Sequence, residues 1–285
     1  MVFHNQTDPQ VIEKRNRTFR LTQVTVAFVL LCGLILAASV PVLVAHSSPV
    51  FTPAAKRPSL AIDGAVLAGC PHTSNSCSTT LTTIHSSDII IVYTFESLDL
   101  QTSCTFTVQD TAGLTWHFRG GISGRNDGTT GSNRDQNAEF WAQAAAPLSS
   151  DVVTESILGC ASVQYGGEYN GLYAIGISGA NFNSPFDPAI SQALGAAGYS
   201  NTPSVNLSTS NSNDMIIAAA QQSSFGNLSP GPGFTVILAT GPGGAASEYQ
   251  LTSKGVTNLP VAFNDDTTWY WEELADALVS SGHHS

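Results

Sequence analysis

From Ser59 onward the chain repeats one kind of patterning. Short stretches rich in Val, Ile, Thr and aromatic residues, several alternating apolar with polar, are separated by Gly, Asn, Asp, Ser or Pro. Alternation of this period predicts half-buried β-strands, because successive side chains on a strand point to opposite faces. A first series comprises LAIDGAVLAG, STTLTTI, DIIIVYTF, CTFTVQD, LTWHFR, NAEFWAQAAA, VVTESIL and LYAIGIS. A second comprises SVNLSTS, DMIIAAAQQ, GFTVILAT, ASEYQLTS, LPVAFN and WYWEELADALV. Residues 185–200 (PFDPAISQALGAAGYS) alone read as partly helical or irregular.

The two series match in order. SSDIIIV at Ser86–Val92 corresponds to SNDMIIA at Ser212–Ala218, and AGLTWHF at Ala112–Phe118 to PGFTVIL at Pro232–Leu238. NAEFWAQ at Asn137–Gln143 corresponds to ASEYQLT at Ala246–Thr252, and GLYAIGISGA at Gly171–Ala180 to WEELADALVS at Trp271–Ser280. Four matches in one order point to a duplicated unit of about five or six strands. The final segment has helix propensity, but its first-half counterpart is plainly a strand, so it is predicted as a strand too. Two halves with one apolar face each can bury those faces against one another. The expectation is therefore an all-β, two-sheet sandwich, jelly-roll-like and built from two similar halves, over residues 59–281.

The first 58 residues differ. Residues 24–45 (VTVAFVLLCGLILAASVPVLVA) contain no charge, and Lys14, Arg15, Arg17 and Arg20 precede them. A run that long and that apolar predicts a membrane-inserting helix, and the flanking positive charge puts the leader 1–23 in the cytoplasm. The run is long for a cleaved signal, so it reads as a signal-anchor, with a signal peptide as the alternative. Residues 46–58 form a spacer. On this reading the membrane is a partner through 24–45, and the remainder is extracellular or, after cleavage, secreted.

Charge narrows the function. Only 11% of the 285 residues are charged and the formal net charge is −11. Beyond residue 45 there are six basic residues against 19 acidic ones. That balance excludes a phosphate-tracking nucleic-acid surface. It suits a soluble, self-repelling surface, or one decorated with Ca²⁺. Of five cysteines, Cys32 lies in the apolar run; Cys70, Cys77, Cys104 and Cys160 make an even set for an oxidising compartment. Three pairings are open, with Cys70–Cys77 and Cys104–Cys160 preferred. Asn206 and Asn227 each begin an Asn-Leu-Ser glycosylation signal.

The segments SSDIIIV, DTAGLTWHF, GISGANFNSPFDP, SNDMIIA, GPGFTVI and ADALVS, spanning about Ser59–Ser280, resemble a β-sandwich surface module of secreted archaeal proteins, SPFDP being the most specific piece. The resemblance implies an exported or cell-surface β-sandwich and carries no catalytic residue across.

Chemistry is sparse. There is no nucleophile elbow, zinc-protease signature, phosphate loop or EF-hand loop in the sequence. A carboxylate pair, as in glycoside hydrolysis, is the remaining route to an enzyme, and Glu139 with Glu248 are its candidates because they occupy matched positions beside aromatics. The Gly/Asn/Asp stretch 120–137 offers Arg125, Asp127 and Asp135 for a sugar, and Asp127 with Asp135 for Ca²⁺. Trp269 and Trp271 share a strand face, where one can serve as a sugar-stacking platform. The expected function is non-enzymatic: an adhesion, carbohydrate-binding or envelope component whose partners are glycans or other surface proteins, with no cofactor or at most Ca²⁺. Alternatives are a glycan hydrolase and a self-assembling surface subunit.

Overall fold

The computed structural model describes residues 59–71, 74–98, 105–123, 134–158, 169–222, 226–239 and 244–282. The leader, the apolar run 24–45 and the spacer lie outside these. Among the described residues every regular element is a strand. A first set of eight runs β1 (Ala61–Pro71), β2 (Ser76–Leu81), β3 (Asp88–Leu98), β4 (Thr105–Asp110), β5 (His117–Ser123), β6 (Arg134–Ala144), β7 (Asp151–Leu158) and β8 (Tyr169–Ser178). A second runs β9 (Leu194–Ser200), β10 (Ser204–Leu207), β11 (Met215–Gln222), β12 (Ser229–Pro230), β13 (Thr235–Ala239), β14 (Ala245–Leu251), β15 (Leu259–Asn264) and β16 (Trp269–Leu278).

The first set forms a five-stranded sheet, β1-β8-β3-β6-β5, and a three-stranded sheet, β2-β7-β4. The second forms β9-β16-β11-β14-β13 and β10-β15-β12. Adding eight to every strand number of the first set reproduces the second in both sheets. Fine features recur with it. A bulge breaks the register between Phe118 and Gly120 in β5 and between Val236 and Leu238 in β13. Left-handed residues precede equivalent strands: Ser87 and Asn213 before β3 and β11, Ser150 and Asn258 before β7 and β15.

The sheets stack in four layers around three apolar cores. Leu81 and Val153 of the first three-stranded sheet pack against Ile90, Val92, Leu172 and Ala174. On the opposite faces of those strands, Ile89, Ile91, Tyr93 and Ile175 meet Met215, Ile217, Leu274 and Leu278 of the second five-stranded sheet. Ile216, Ala218 and Ala275 then pack against Val205, Val261 and Phe263. Both five-stranded sheets are thus covered on both faces, which is why β3 and β11 read as unbroken apolar runs while β7 alternates. Four sheets rather than two is a departure from the sequence expectation. Each half has eight strands instead of five or six, enough to close its own two-layer sandwich, and its larger sheet still has an apolar outer face to bury.

Segment 185–200 corrects a second expectation: its end is the edge strand β9, paired with β16 from Leu194 to Ser200. Gly and Ala have weak strand propensity, so LGAAGYS carried little signal. The glycine is required by packing, since a Cβ on Gly198 would meet the Trp271 ring at 2.7 Å. The final segment is a strand, as the repeat predicted. The SPFDP piece bridges the halves. Val279 N–H donates to Pro185 O, Asp187 N–H to Ala277 O, and the Phe186 ring lies under the Arg119 guanidinium at 4.0 Å. Cys70 and Cys77 form a disulfide, Cα atoms 5.6 Å apart, tying the end of β1 to the start of β2. Cys104 and Cys160 lie outside the described residues.

Candidate functional site

In the first half, β5 leaves β4 and pairs with β6 instead. The gap between β4 and β5 is therefore not closed by backbone hydrogen bonds, and a groove of about 570 Å³ opens there. Phe106, Phe118, Phe140 and Ile122 supply apolar wall, and Thr105, Ser123, Gln136 and Asn137 supply polar groups. Phe118 follows from local geometry. It stands at the β5 bulge, meets Phe140 edge-on at 5.5 Å, and remains 65% exposed. The Asn137 amide, oriented to satisfy its neighbours, donates to Gln136 O at 3.0 Å and to Gln221 Oε1 and Glu272 Oε2 at 3.2 Å, anchoring the groove floor to the second half. Volume and chemistry fit a small organic ligand: aromatic surface to stack on, amides and hydroxyls to orient it.

At the equivalent place in the second half the described residues are closely packed. By register Phe140 corresponds to Glu248, whose Oε2 accepts from Gly231 N–H at 2.9 Å. Gly231 is wedged so tightly that a Cβ would sit 1.9 Å from Ala262 O.

Glu139 and Glu248 do not form a catalytic pair. Ile91 faces Trp141 across β3–β6, and the equivalent Ile217 faces Tyr249 across β11–β14. Trp141 thus corresponds to Tyr249, and Glu139 to Ser247. The sequence match was one residue out of register, and one residue turns a side chain to the opposite face. Glu139 points into the central core, where Asp276, Arg119 and Tyr93 face it, and burial foremost holds its carboxyl well above the ordinary range. Glu248 lies in the outer core of the second half, raised to about 8 by burial against the pull of Gly231 N–H. Both are fully buried, so neither is placed to touch a substrate.

The partner of Asp276 is Arg119, a residue the sequence did not single out. Its Nε and Nη2 donate to Asp276 Oδ2 and Oδ1 at 2.6 and 3.2 Å, and its Nη2 and Nη1 to Ile190 O and Ser191 O at 2.7 and 2.8 Å. Arg119 is the extra residue of the β5 bulge, and the bulge aims it at the other half.

Of the two sequence-nominated tryptophans, Trp271 is buried with Nε1 donating to Ser200 Oγ at 2.9 Å. Trp269 is 41% exposed and clusters with Tyr199 and Tyr270 on the β9–β16 edge. Arg125 and Asp127 fall outside the described residues, and Asp135 is placed only by its backbone opposite Ser97. No group of three or more metal-ligating side chains occurs among the described residues. Asn206 and Asn227 are both exposed, and the Asn227 amide donates to Asp266 Oδ2 at 2.9 Å. The groove residues Phe106 and Phe118 were missed, while Gly121, Ile122, Ser123, Gln136 and Asn137 belong to the stretch 120–137 that was named. Comparison with family models, curated proteins and solved structures finds no match to this chain.

Proposed function

We propose that this chain is an exported surface protein, held by residues 24–45 as a signal-anchor, whose first half binds carbohydrate without turning it over. The observation that carries the reading is the groove between β4 and β5, with Phe118 exposed at its wall and the Gln136 amide and the Thr105 and Ser123 hydroxyls beside it. Apolar sugar faces stack on such rings while amides read hydroxyls. The matched strand orders, bulges and left-handed turns support a duplicated jelly roll, in which one copy keeps an open groove and the other has become a packed support. A charge-poor, acidic composition and a disulfide suit the outer face of a membrane. The resemblance to the archaeal surface module belongs to the same proposal.

The test is a broad glycan array probed with the full chain in mild detergent, with and without Ca²⁺, alongside an assay for released sugar. Binding without release, lost in Phe118→Ala, is the expected result. Loss on chelation would assign Asp127 and Asp135 a role. Released sugar would overturn the non-enzymatic reading, and silence on every glycan would shift the function to self-assembly or a protein partner.

A further inference from the structure

The apolar layers of this fold contain buried acids. Among the described residues twelve Asp and Glu are buried. Basic groups that meet buried acids there include the guanidinium of Arg119, bound to Asp276, and the ring of His85, whose Nδ1 lies 2.5 Å from Asp63 Oδ1. The acids meet one another in pairs, distributed by layer. In the outer core of the first half Glu155 on β7 faces Glu96 on β3. In the central core Glu139 on β6 faces Asp276 on β16, with Arg119 of β5 and Tyr93 of β3 alongside. In the outer core of the second half Glu273 on β16 faces Glu248 on β14, to which Gly231 N–H donates. Two more pairs hold the equivalent turns that precede β3 and β11. Asp88 faces Asp63, with Thr83 and His85 nearby, and Asp214 faces Asp187, with Thr209 nearby.

Within the last two pairs the roles are divided. Asp63 accepts N–H bonds from Ile84 and His85 at 2.8 Å each, and Asp187 accepts from Ser210 and Asn211 at 3.0 Å each. Asp88 and Asp214 accept no N–H bond on either oxygen and have only the Thr83 and Thr209 hydroxyls beside them; Glu139 has only the Tyr93 hydroxyl, and Glu155 and Glu273 have no donor on either oxygen. A buried carboxylate without donors is costly, and two adjacent carboxylates cannot both ionise. A proton resolves both problems: it neutralises the acid, and in the Asp88–Asp63, Asp214–Asp187 and Glu139–Asp276 pairs it lets the acid donate to its partner. We infer that this protein is built to work in an acidic medium, its five buried carboxyl pairs each holding at least one proton that the folded state needs.

The direction of titration agrees. Burial first, then the neighbouring aspartate, raises Asp88 and Asp214 to about 7. Burial raises Glu248 to about 8, and lifts Glu139, Glu155 and Glu273 well above the ordinary range. In the unfolded chain these groups titrate near 4. The native state therefore binds more protons from there to neutrality, and stability falls as pH rises across that window. Asp63 and Asp187 are lowered; burial raises them, but N–H donors prevail. Their contribution is complete above about 4 and is lost below it, which places the optimum near pH 4.

The experiment follows thermal and urea unfolding of the full chain in mild detergent from pH 3 to 8. Each proton held only by the native state raises the unfolding constant about tenfold per pH unit. A slope of about three to six in log K between pH 5 and 6 is expected, with the melting temperature highest near pH 4. An infrared carboxylic-acid band at neutral pH should weaken in Asp88→Asn with Asp214→Asn, whose slope should fall by about two. If that variant does not fold, the wild-type slope and band still decide. A flat or negative slope would overturn the inference. So would full recovery of neutral-pH stability by millimolar Ca²⁺, which would mark the pairs as cation sites.

Discussion

Arg119→Met offers the sharpest check on how the two halves are held together. The substitution keeps much of the aliphatic stem over Phe186 but removes four donated bonds: two to Asp276 and one each to Ile190 O and Ser191 O. At pH 7 it leaves Asp276 buried and facing Glu139 without a cation. Breaking a buried pair by removing one partner costs about 3–5 kcal/mol. For a domain of this size each kcal/mol lowers the melting temperature by about 2–4 °C, so a fall of about 6–20 °C is expected. Asp276 is raised to about 6, by burial first, with Arg119 pulling it down. Below that pH its carboxyl takes a proton, and removal of Arg119 no longer strands a charge. At pH 4 the loss should shrink to about 1–3 kcal/mol, the cost of the two orphaned carbonyls and weakened packing. Near-UV circular dichroism melts of both proteins at the two pH values make the comparison. Equal losses at pH 4 and pH 7, or a loss under about 1 kcal/mol at pH 7, would refute the claim that this guanidinium neutralises the central acids.

Two further outcomes can be stated. Replacing Cys70 and Cys77 by Ser opens a short loop, and loop-closure entropy gives about 2–3 kcal/mol of lost stability, measurable as a shift in urea midpoint without a change in slope. Gly231→Ala forces a methyl to within 1.9 Å of Ala262 O; it should destabilise by about 1–3 kcal/mol and, by moving Gly231 N–H off Glu248, steepen the pH dependence near neutrality.

Much of this molecule is written locally, and some of it cannot be. Strand existence was legible because the pleat has period two: TESIL, FTVQ and PVAFN reveal their faces without help from the rest of the chain. The duplication was legible too, down to the conversion of helix-prone WYWEELADAL into β16. What the sequence could not resolve is which residue faces which across the layers. Glu139 and Glu248 matched by composition, yet the ladder aligns Glu139 with Ser247, and a single residue of slip puts the two acids in different cores. The β5 bulge is likewise invisible in HFRGG, though it aims Arg119 at Asp276, 157 positions along the chain. Local patterning determined the strands and their order of repetition. Only tertiary stacking decided that DIIIV and MIIA would be covered on both faces, that acids from distant strands would meet in pairs, and that a groove would open between β4 and β5. Those outcomes depend on contacts between residues far apart in sequence, whose register no local alternation records.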